Sequence, residues 1–427
     1  MTSTRGLTVT GVDRILLDVP FSPRARPWNE LLIGQWRLIE LIRVTTNDPD
    51  VTGWGETILD YCYAPVPDEA VAYVRGRNPA ECLSRDDFGP GLQMALYDAV
   101  GKALDVPVRS LLPLAQVRDE CPISWWNTKM PPAVLAQEAR DAVAAGYRTH
   151  KFKARPWFDV HEQVDAVSAV TPPDYQLDLD WNEMLRDAGT AAPVLTALER
   201  TGRVGIFETP LPHHDLAGYR ALRGKLTRPV ADHFLDTPFA ANVAQEAFDG
   251  YVVTWQGVGG LLASGTQAAG VHRPFFLQMC GTGLTTALAL QLGAVLSHAV
   301  WPHVTAMNTW SEDLLRAPIE IRNGYARVPD GPGLGVSVDE EAVHRLSVPD
   351  ATPIRYPRRI LTIAWPGGRR RSYASAEQMW TDCRAGNVPA QQPGADLAVR
   401  EDDGSADFAD LYRRCALAPV SHYSVSQ

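Results

Sequence analysis

The sequence has no run of about 18 consecutive apolar residues, the length a membrane-spanning helix needs, so no such helix is expected. It is also short of positive charge. Its 40 Lys+Arg residues face 50 Asp+Glu, a formal net charge of -10, which disfavours binding to a phosphate backbone and argues against a nucleic-acid partner. Cysteine is sparse: six residues, at 62, 82, 121, 280, 383 and 415, with no CxxC pair and none beside His at zinc-site spacing. That excludes a disulfide framework and a structural zinc site, and leaves buried reduced thiols. The start of the chain is interrupted by Arg5, Asp13 and Arg14, so it has no signal-peptide core and a cytoplasmic protein is expected. Low-complexity tracts and internal repeats are absent as well.

What is there is a long chain, 427 residues and 45% hydrophobic, enough for a large core. Leu38–Thr45, the Asn47-Asp48-Pro49-Asp50 turn and Val51–Glu56 read as an antiparallel hairpin. Apolar residues at helical spacing from Leu92 to Leu104 follow Gly89-Pro90-Gly91 and precede Val106-Pro107. From about residue 121 short β-type runs alternate with helical ones. Cys121–Trp126, Arg148–Ala154, Gln176–Trp181, Val204–Thr209, Arg228–Ala231, Tyr251–Thr254 and Phe275–Met279 read as strands. Lys153, Asp180, Glu208, Asp232, Thr254 and Gln278 stand at successive strand ends, 27, 28, 24, 22 and 24 residues apart, each about one βα unit. This predicts an α/β fold, a (β/α)8-type barrel whose strand ends converge on one face. After about 355 a hairpin around Pro366-Gly367-Gly368 is expected, then an irregular stretch over Ala385–Asp403 and a short helix over Phe408–Ala416.

Lys151 and Lys153, two apart on one strand, face the same side, though as a pair alone they would suit a solvated edge. Asp180, Glu208 and Asp232 are carboxylates on three consecutive strand ends; any one alone would read as a helix N-cap or loop residue. Two carboxylates about 4 Å apart repel by about 4 kcal/mol at an effective dielectric near 20, so a buried trio calls for a cation. Oxygen ligands suit Mg²⁺. Mg²⁺ beside two lysines suggests removal of the proton α to a carboxylate, with the enediolate charge stabilised by the metal. Repulsion from the neighbouring ammonium and the metal lowers a lysine's pKa toward the base form.

The motifs resemble the mandelate racemase/muconate lactonizing enzyme group of the enolase superfamily. Gly53-Trp54-Gly55-Glu56 and Ala95–Leu104 match in the N-terminal part. Gly146–Lys153, Asp180-Trp181-Asn182, Glu208-Thr209-Pro210, Gly259-Gly260 and Pro332-Gly333-Leu334-Gly335 match further on, over residues from about 8 to 345. The resemblance implies an α+β capping domain over 1–120, a metal-bearing barrel over 121–330, and a C-terminal segment over 331–427 that returns to the cap and adds an extension. It implies Asp180, Glu208 and Asp232 as Mg²⁺ ligands, Lys153 as base with Lys151 beside it, and Glu312 as an acid near the last strand. It also implies a small-molecule carboxylate substrate and a homo-oligomer.

The departures shape the expected reaction. Thr254 and Gln278 stand where the family's second acid/base pair, Asp and His, would be, and the alternative lysine on the sixth strand is absent. His233 remains a candidate catalytic group although strand alternation points it away from the metal. His213 and His214 read as solvated loop residues. Cys280-Gly281-Thr282-Gly283 lacks the third glycine of a dinucleotide turn and reads instead as a helix N-terminus for a substrate anion. Arg24, Arg26 and Trp28 are candidate substrate contacts in a loop. With one strong base, an Mg²⁺-dependent dehydratase of an acid sugar or related hydroxy acid is expected. The alternatives are a racemase or epimerase, or a non-catalytic barrel that binds a carboxylate.

Overall fold

The computed structural model describes residues 4–61, 65–350 and 352–423. Three antiparallel strands open the chain, β1 (Val9–Asp18), β2 (Leu38–Thr46) and β3 (Thr52–Ile58), with helix α1 (Arg26–Ile33) between the first two. The expected hairpin is β2–β3, with Ile39 opposite Ile58 and Thr45 opposite Thr52. Helices α2 (Asp68–Val74) and α3 (Pro90–Leu104) follow. The two glycines of the Gly-Trp-Gly-Glu motif let β3 lie directly on α3, since a Cβ at Gly53 or Gly55 would run into the backbone at Ala95 or Gly91.

The alternating region reads out as expected. In order come β4 (Glu120–Pro122), β5 (Trp125–Asn127), α4 (Pro132–Ala144), β6 (Thr149–Lys153), α5 (Val160–Ser168), β7 (Gln176–Asp180) and α6 (Ala188–Glu199). Then follow β8 (Val204–Glu208), α7 (Leu216–Arg223), β9 (Val230–His233), α8 (Phe239–Ala244), β10 (Gly250–Thr254), α9 (Gly257–Gly270), β11 (Phe275–Gln278) and α10 (Gly283–Gly293). Strands β5 to β11 form a seven-stranded sheet in chain order, and every adjacent pair is parallel. Helices cover its outer face, so Leu177, Leu179, Phe207, Val253 and Leu277 are all buried. Among the described residues no eighth strand closes the sheet. Instead the extended segment 303–305 lies between its edges. His303 N donates to Pro122 O and Ser124 N to His303 O on one side, at 2.8 and 2.9 Å; on the other, Val304 N donates to Leu277 O and Met279 N to Val304 O, at 2.9 and 3.0 Å.

The N-terminal strands and helices sit over the C-terminal ends of β10 and β11. Gln93 accepts from Val258 N at 2.9 Å, and Asp86 accepts from Gly259 and Gly260 N at 2.9 and 3.0 Å. After the short strands β12 (Ile321–Arg322) and β13 (Tyr325–Arg327), the chain returns to this region: Leu334 N donates to Asp98 at 2.8 Å and, past α11 (Glu340–Leu346), Val348 N to Leu16 O at 2.9 Å.

The last stretch builds its own sheet. Its elements are β14 (Arg359–Ala364), β15 (Arg369–Tyr373), α12 (Ala376–Arg384), β16 (Asp396–Glu401), α13 (Ala406–Leu417) and β17 (Val420–Tyr423), with antiparallel strand order β16-β14-β15-β17. Two expectations are corrected. Ala385–Asp403 is not irregular throughout, because β14 supplies a full ladder to β16. Cys121–Trp126 is not one strand: β4 pairs with β13, and the parallel sheet begins at Trp125. Among the described residues no helix is long and apolar enough to cross a membrane. Cys82, Cys121, Cys383 and Cys415 are buried free thiols, and Cys62 lies outside the described residues.

Candidate active site

The register of the parallel sheet brings the expected residues together. Lys153 lies opposite Asp180 and Asp180 opposite Glu208, so three neighbouring strands end at one level. One rung below, Lys151 lies opposite Asp178. Lys151 points inward, its Nζ 4.9 Å from the Phe276 ring of β11, while His150, the residue before it, points outward and bonds Asn127 at 2.7 Å. This is strand alternation in three dimensions.

Every charge in the cluster has a counter-charge. Lys153 Nζ is hydrogen-bonded to Asp180 Oδ2. Lys151 Nζ is paired with Glu208 Oε2, lies 3.8 Å from Asp180 Oδ2 and donates to Gln278 Oε1 at 2.5 Å. Gln278 in turn donates to Tyr61 Oη at 2.9 Å, tying the cluster to the N-terminal unit. Burial opposes the Lys151 ammonium, but Glu208, Asp178 and Asp180 overcome it and hold its pKa above the usual value. The sequence expectation ran the other way, because it counted a neighbouring cation and not the carboxylate in contact. Burial also works against the Asp180 carboxylate, yet Lys153, Lys151 and Arg155 hold its pKa below the ordinary range. Asp178, unanticipated, has its pKa pushed well up by burial and by Glu208.

Asp232 is buried one strand further on. It accepts from Thr209 Oγ1 at 2.9 Å and meets His213 Nδ1 at 2.8 Å. His213 is therefore not a solvated loop residue. Burial disfavours its charged form, but the bond to Asp232 raises its pKa to about 9. His233 does not turn away either: Ala231 lies opposite Glu208, so His233 two residues on shares that face, and its Nε2 is 3.5 Å from Glu208 Oε1. The backbone is strained at this level. Thr209, just after Glu208, has φ 43°, a value a β-branched residue adopts only when neighbours over-determine it; Asn182, two after Asp180, has φ 42°, which Asn tolerates.

The donor chemistry was tested against a hard divalent cation. Asp180, Glu208 and Asp232 offer only oxygen and are fully buried. Glu208 Oε2 is paired with Lys151 Nζ, while the buried Oε1 accepts no hydrogen bond, an acceptor site that suits a cation. Among the described residues, no three His, Cys, Asp or Glu side chains already converge as a metal shell. Asp180 is turned to Lys153 and Asp232 to His213. The residues fit the group in kind, and convergence requires those two carboxylates to exchange partners.

Other candidates fall outside the cluster. Glu312 is not brought into the cluster: half-buried, it pairs with Arg345 of α11 at 2.5 Å, the chain after the turn at 307–309 having left the sheet. The Cys280–Gly283 turn does not offer its helix N-terminus to a substrate. Glu56 of β3 fills it, accepting from Thr282 N, Thr282 Oγ1 and Thr285 N at 2.8, 2.8 and 2.9 Å. Arg24 is held by Glu138 at 3.2 Å and by Asp141. Arg26 is exposed 3.9 Å from Glu30. Trp28 packs edge-on to Phe158 at 5.9 Å.

Sequence reasoning missed Lys129 and Arg155, just past the ends of β5 and β6, and Trp380 of α12. The two basic residues had the signal of position at a strand end; Trp380 had none. A cavity of about 200 Å³ at the opposite end of the sheet, lined by Thr149, Gln176, Asp178 and Gly205 among others, contains none of the expected site residues.

Residues 134–342 match the family model described as enolase C-terminal domain-like. A D-gluconate dehydratase of Thermoproteus tenax is 25% identical over 356 residues, covering 71% of this chain and 69% of that protein. A D-galactarolactone cycloisomerase of Agrobacterium fabrum is 25% identical over 395 residues, 78% of this chain and 96% of that one. A solved mandelate racemase/muconate lactonizing family protein from Azoarcus sp. EbN1 superposes with a TM-score of 0.63 at 22% identity, covering 80% of this chain and 98% of its own. The shared fold is that of the enolase superfamily.

Proposed function

Since residues 134–342 belong to the enolase C-terminal domain-like family, and the relatives are mandelate racemase/muconate lactonizing enzymes of the enolase superfamily, we propose that this chain is an enzyme that removes the proton α to a substrate carboxylate. We take residues 1–120 as the cap, 121–330 as a (β/α)8-type barrel sealed by segment 303–305, and 331–427 as the returning segment plus extension. The observation that carries the reading is the level row Lys153–Asp180–Glu208, with a buried Glu208 carboxylate whose Oε1 accepts no hydrogen bond.

Asp180, Glu208 and Asp232 would hold Mg²⁺, which when bound supplies the positive charge that steadies the carboxylate as its α-proton leaves. Lys153, in its neutral amine form, takes the proton and becomes the ammonium; its side chain is part-exposed, whereas Lys151 is sealed. Lys151, fixed by Glu208 and Gln278, holds positive charge where the enediolate forms. The reaction read here is dehydration of an acid sugar or related hydroxy acid by a lyase, since the face opposite Lys153 bears Thr254 and Gln278 and no second strong base. His233, turned toward Glu208, favours racemization or epimerization as a second reading.

The test is proton NMR in D₂O with Mg²⁺ and pooled acid sugars, on wild type and Lys153→Ala. A 2-keto-3-deoxy product that falls by about 10²–10⁴-fold in the variant supports dehydration with Lys153 as base. Deuterium at the α-carbon without loss of water supports the second reading. Binding without exchange or turnover across the panel would leave a non-catalytic barrel.

A further inference from the structure

Past residue 342 the chain leaves the family match, and the sheet β16-β14-β15-β17 with α12 lies beside the mouth. Met184, Trp157 and Phe158 share one buried cluster with Leu361, Ile363, Tyr373 and Met379. Arg384 of α12 pairs with Glu183, three residues after Asp180, and Gly394 N donates to Asp159 at 2.8 Å. The extension is thus fixed to the loops after β6 and β7, next to the proposed base.

What it delivers there is an indole. The Trp380 ring lies 5.2 Å from Lys129 Nζ and 5.0 Å from the Arg155 guanidinium carbon, with Trp157 at 6.5 Å. Neither cation has a carboxylate partner. Arg155 is fully buried and donates to the carbonyls of Ala154 and Asp180, at 2.8 and 2.5 Å, and to Asn182 Oδ1; its Nε has no acceptor. Lys129 makes no hydrogen bond or ion pair among the described residues. Burial, with Arg155 and Lys153 close by, pushes its ammonium well below the usual range. Thr128 Oγ1 and Trp157 Nε1 are also buried without partners. Asp180 acts on both cations from beyond ion-pair distance, but the unmatched donors in this desolvated corner fit an anion, which would supply the missing acceptor and relieve the repulsion between Lys129 and Arg155.

We propose that Lys129, Arg155 and Trp380 form a subsite for a second anionic group of the substrate, so that the substrate is a dicarboxylic acid. One carboxylate would sit at the Asp180–Glu208–Asp232 cluster and the other under the indole that the extension supplies. The proposal deepens the α-proton reading and rests on it for the first carboxylate.

The experiment is isothermal titration with Mg²⁺ present, comparing the six-carbon diacids glucarate and galactarate with the monoacids gluconate and galactonate. It uses full-length wild type, Lys129→Met, Lys129→Arg, Trp380→Leu and Lys153→Met. Wild type is expected to bind at least one diacid about tenfold or more tighter than its monoacid. Lys129→Met should remove that preference while leaving monoacid affinity within about twofold, and Lys129→Arg should restore most of it. Trp380→Leu should narrow it. Lys153→Met should keep the preference while abolishing α-deuterium exchange, so loss of the base reading and loss of this one give different results. Equal affinity for diacid and monoacid, no binding of any diacid, or a preference that survives Lys129→Met overturns the proposal.

Discussion

Glu56 shows how much one side chain holds in place here. It ties β3 to the first turn of α10 through three bonds and is completely buried, so its carboxyl is pushed upward in pKa by desolvation. Glu56→Ala leaves two buried N–H groups without acceptors, and a loss of about 2–5 kcal/mol is expected by urea denaturation. Glu56→Gln keeps one acceptor oxygen and should lose less. Glu312 is the opposite case. Its partner Arg345 is exposed, so Glu312→Gln should change turnover by less than about twofold and stability by under about 1 kcal/mol. Residues on strands were legible in the sequence because a period of two fixes which way they face; Lys151 and Lys153 follow it. His213 was not, because it sits in a loop, and nothing local tells a loop histidine that Asp232 lies 2.8 Å away.

Among the elements, the βα spacing was the clearest signal, since each unit must cross the sheet and return. β16 was obscured by its Gly-, Pro- and Asp-rich surroundings, and it is a strand only because β14 pairs with it. The most informative element is the segment 303–305 that joins the two edges of the parallel sheet. His303 within it is buried, and burial followed by the nearby Arg118 pushes its pKa down to about 3. In the unfolded chain a histidine titrates near 6.5, so between the two values unfolding takes up a proton. The stability this neutral ring protects is complete above about pH 6.5 and drains away as pH falls toward 3. Thermal melts across that window should show Tm falling, and His303→Gln should flatten part of the fall. An unaltered profile in the variant would show that the seam is not where acid acts.

At the scale of the molecule, the extension is preceded by the segment 352–358, which has no helix or strand and leaves Arg355 exposed. Trypsin should cut after Arg355. The two pieces should still elute together by size exclusion, because Trp157, Phe158 and Met184 stay sealed against the extension's core. Separate elution would mean the wall is only loosely seated. The fold of residues from about 8 to 345 could be read from motifs in order, but the seating of the tail could not. Trp380 reaches Lys129 and Arg155 across more than two hundred positions of sequence, and no local pattern encodes so distant a meeting. That distance also sets an order in time. A ribosome releases the amino end first, so the carboxylate row is complete while the indole has yet to be made. The nascent chain passes through a stage in which the loops after β6 and β7 still lack the wall that α12 later lays against them.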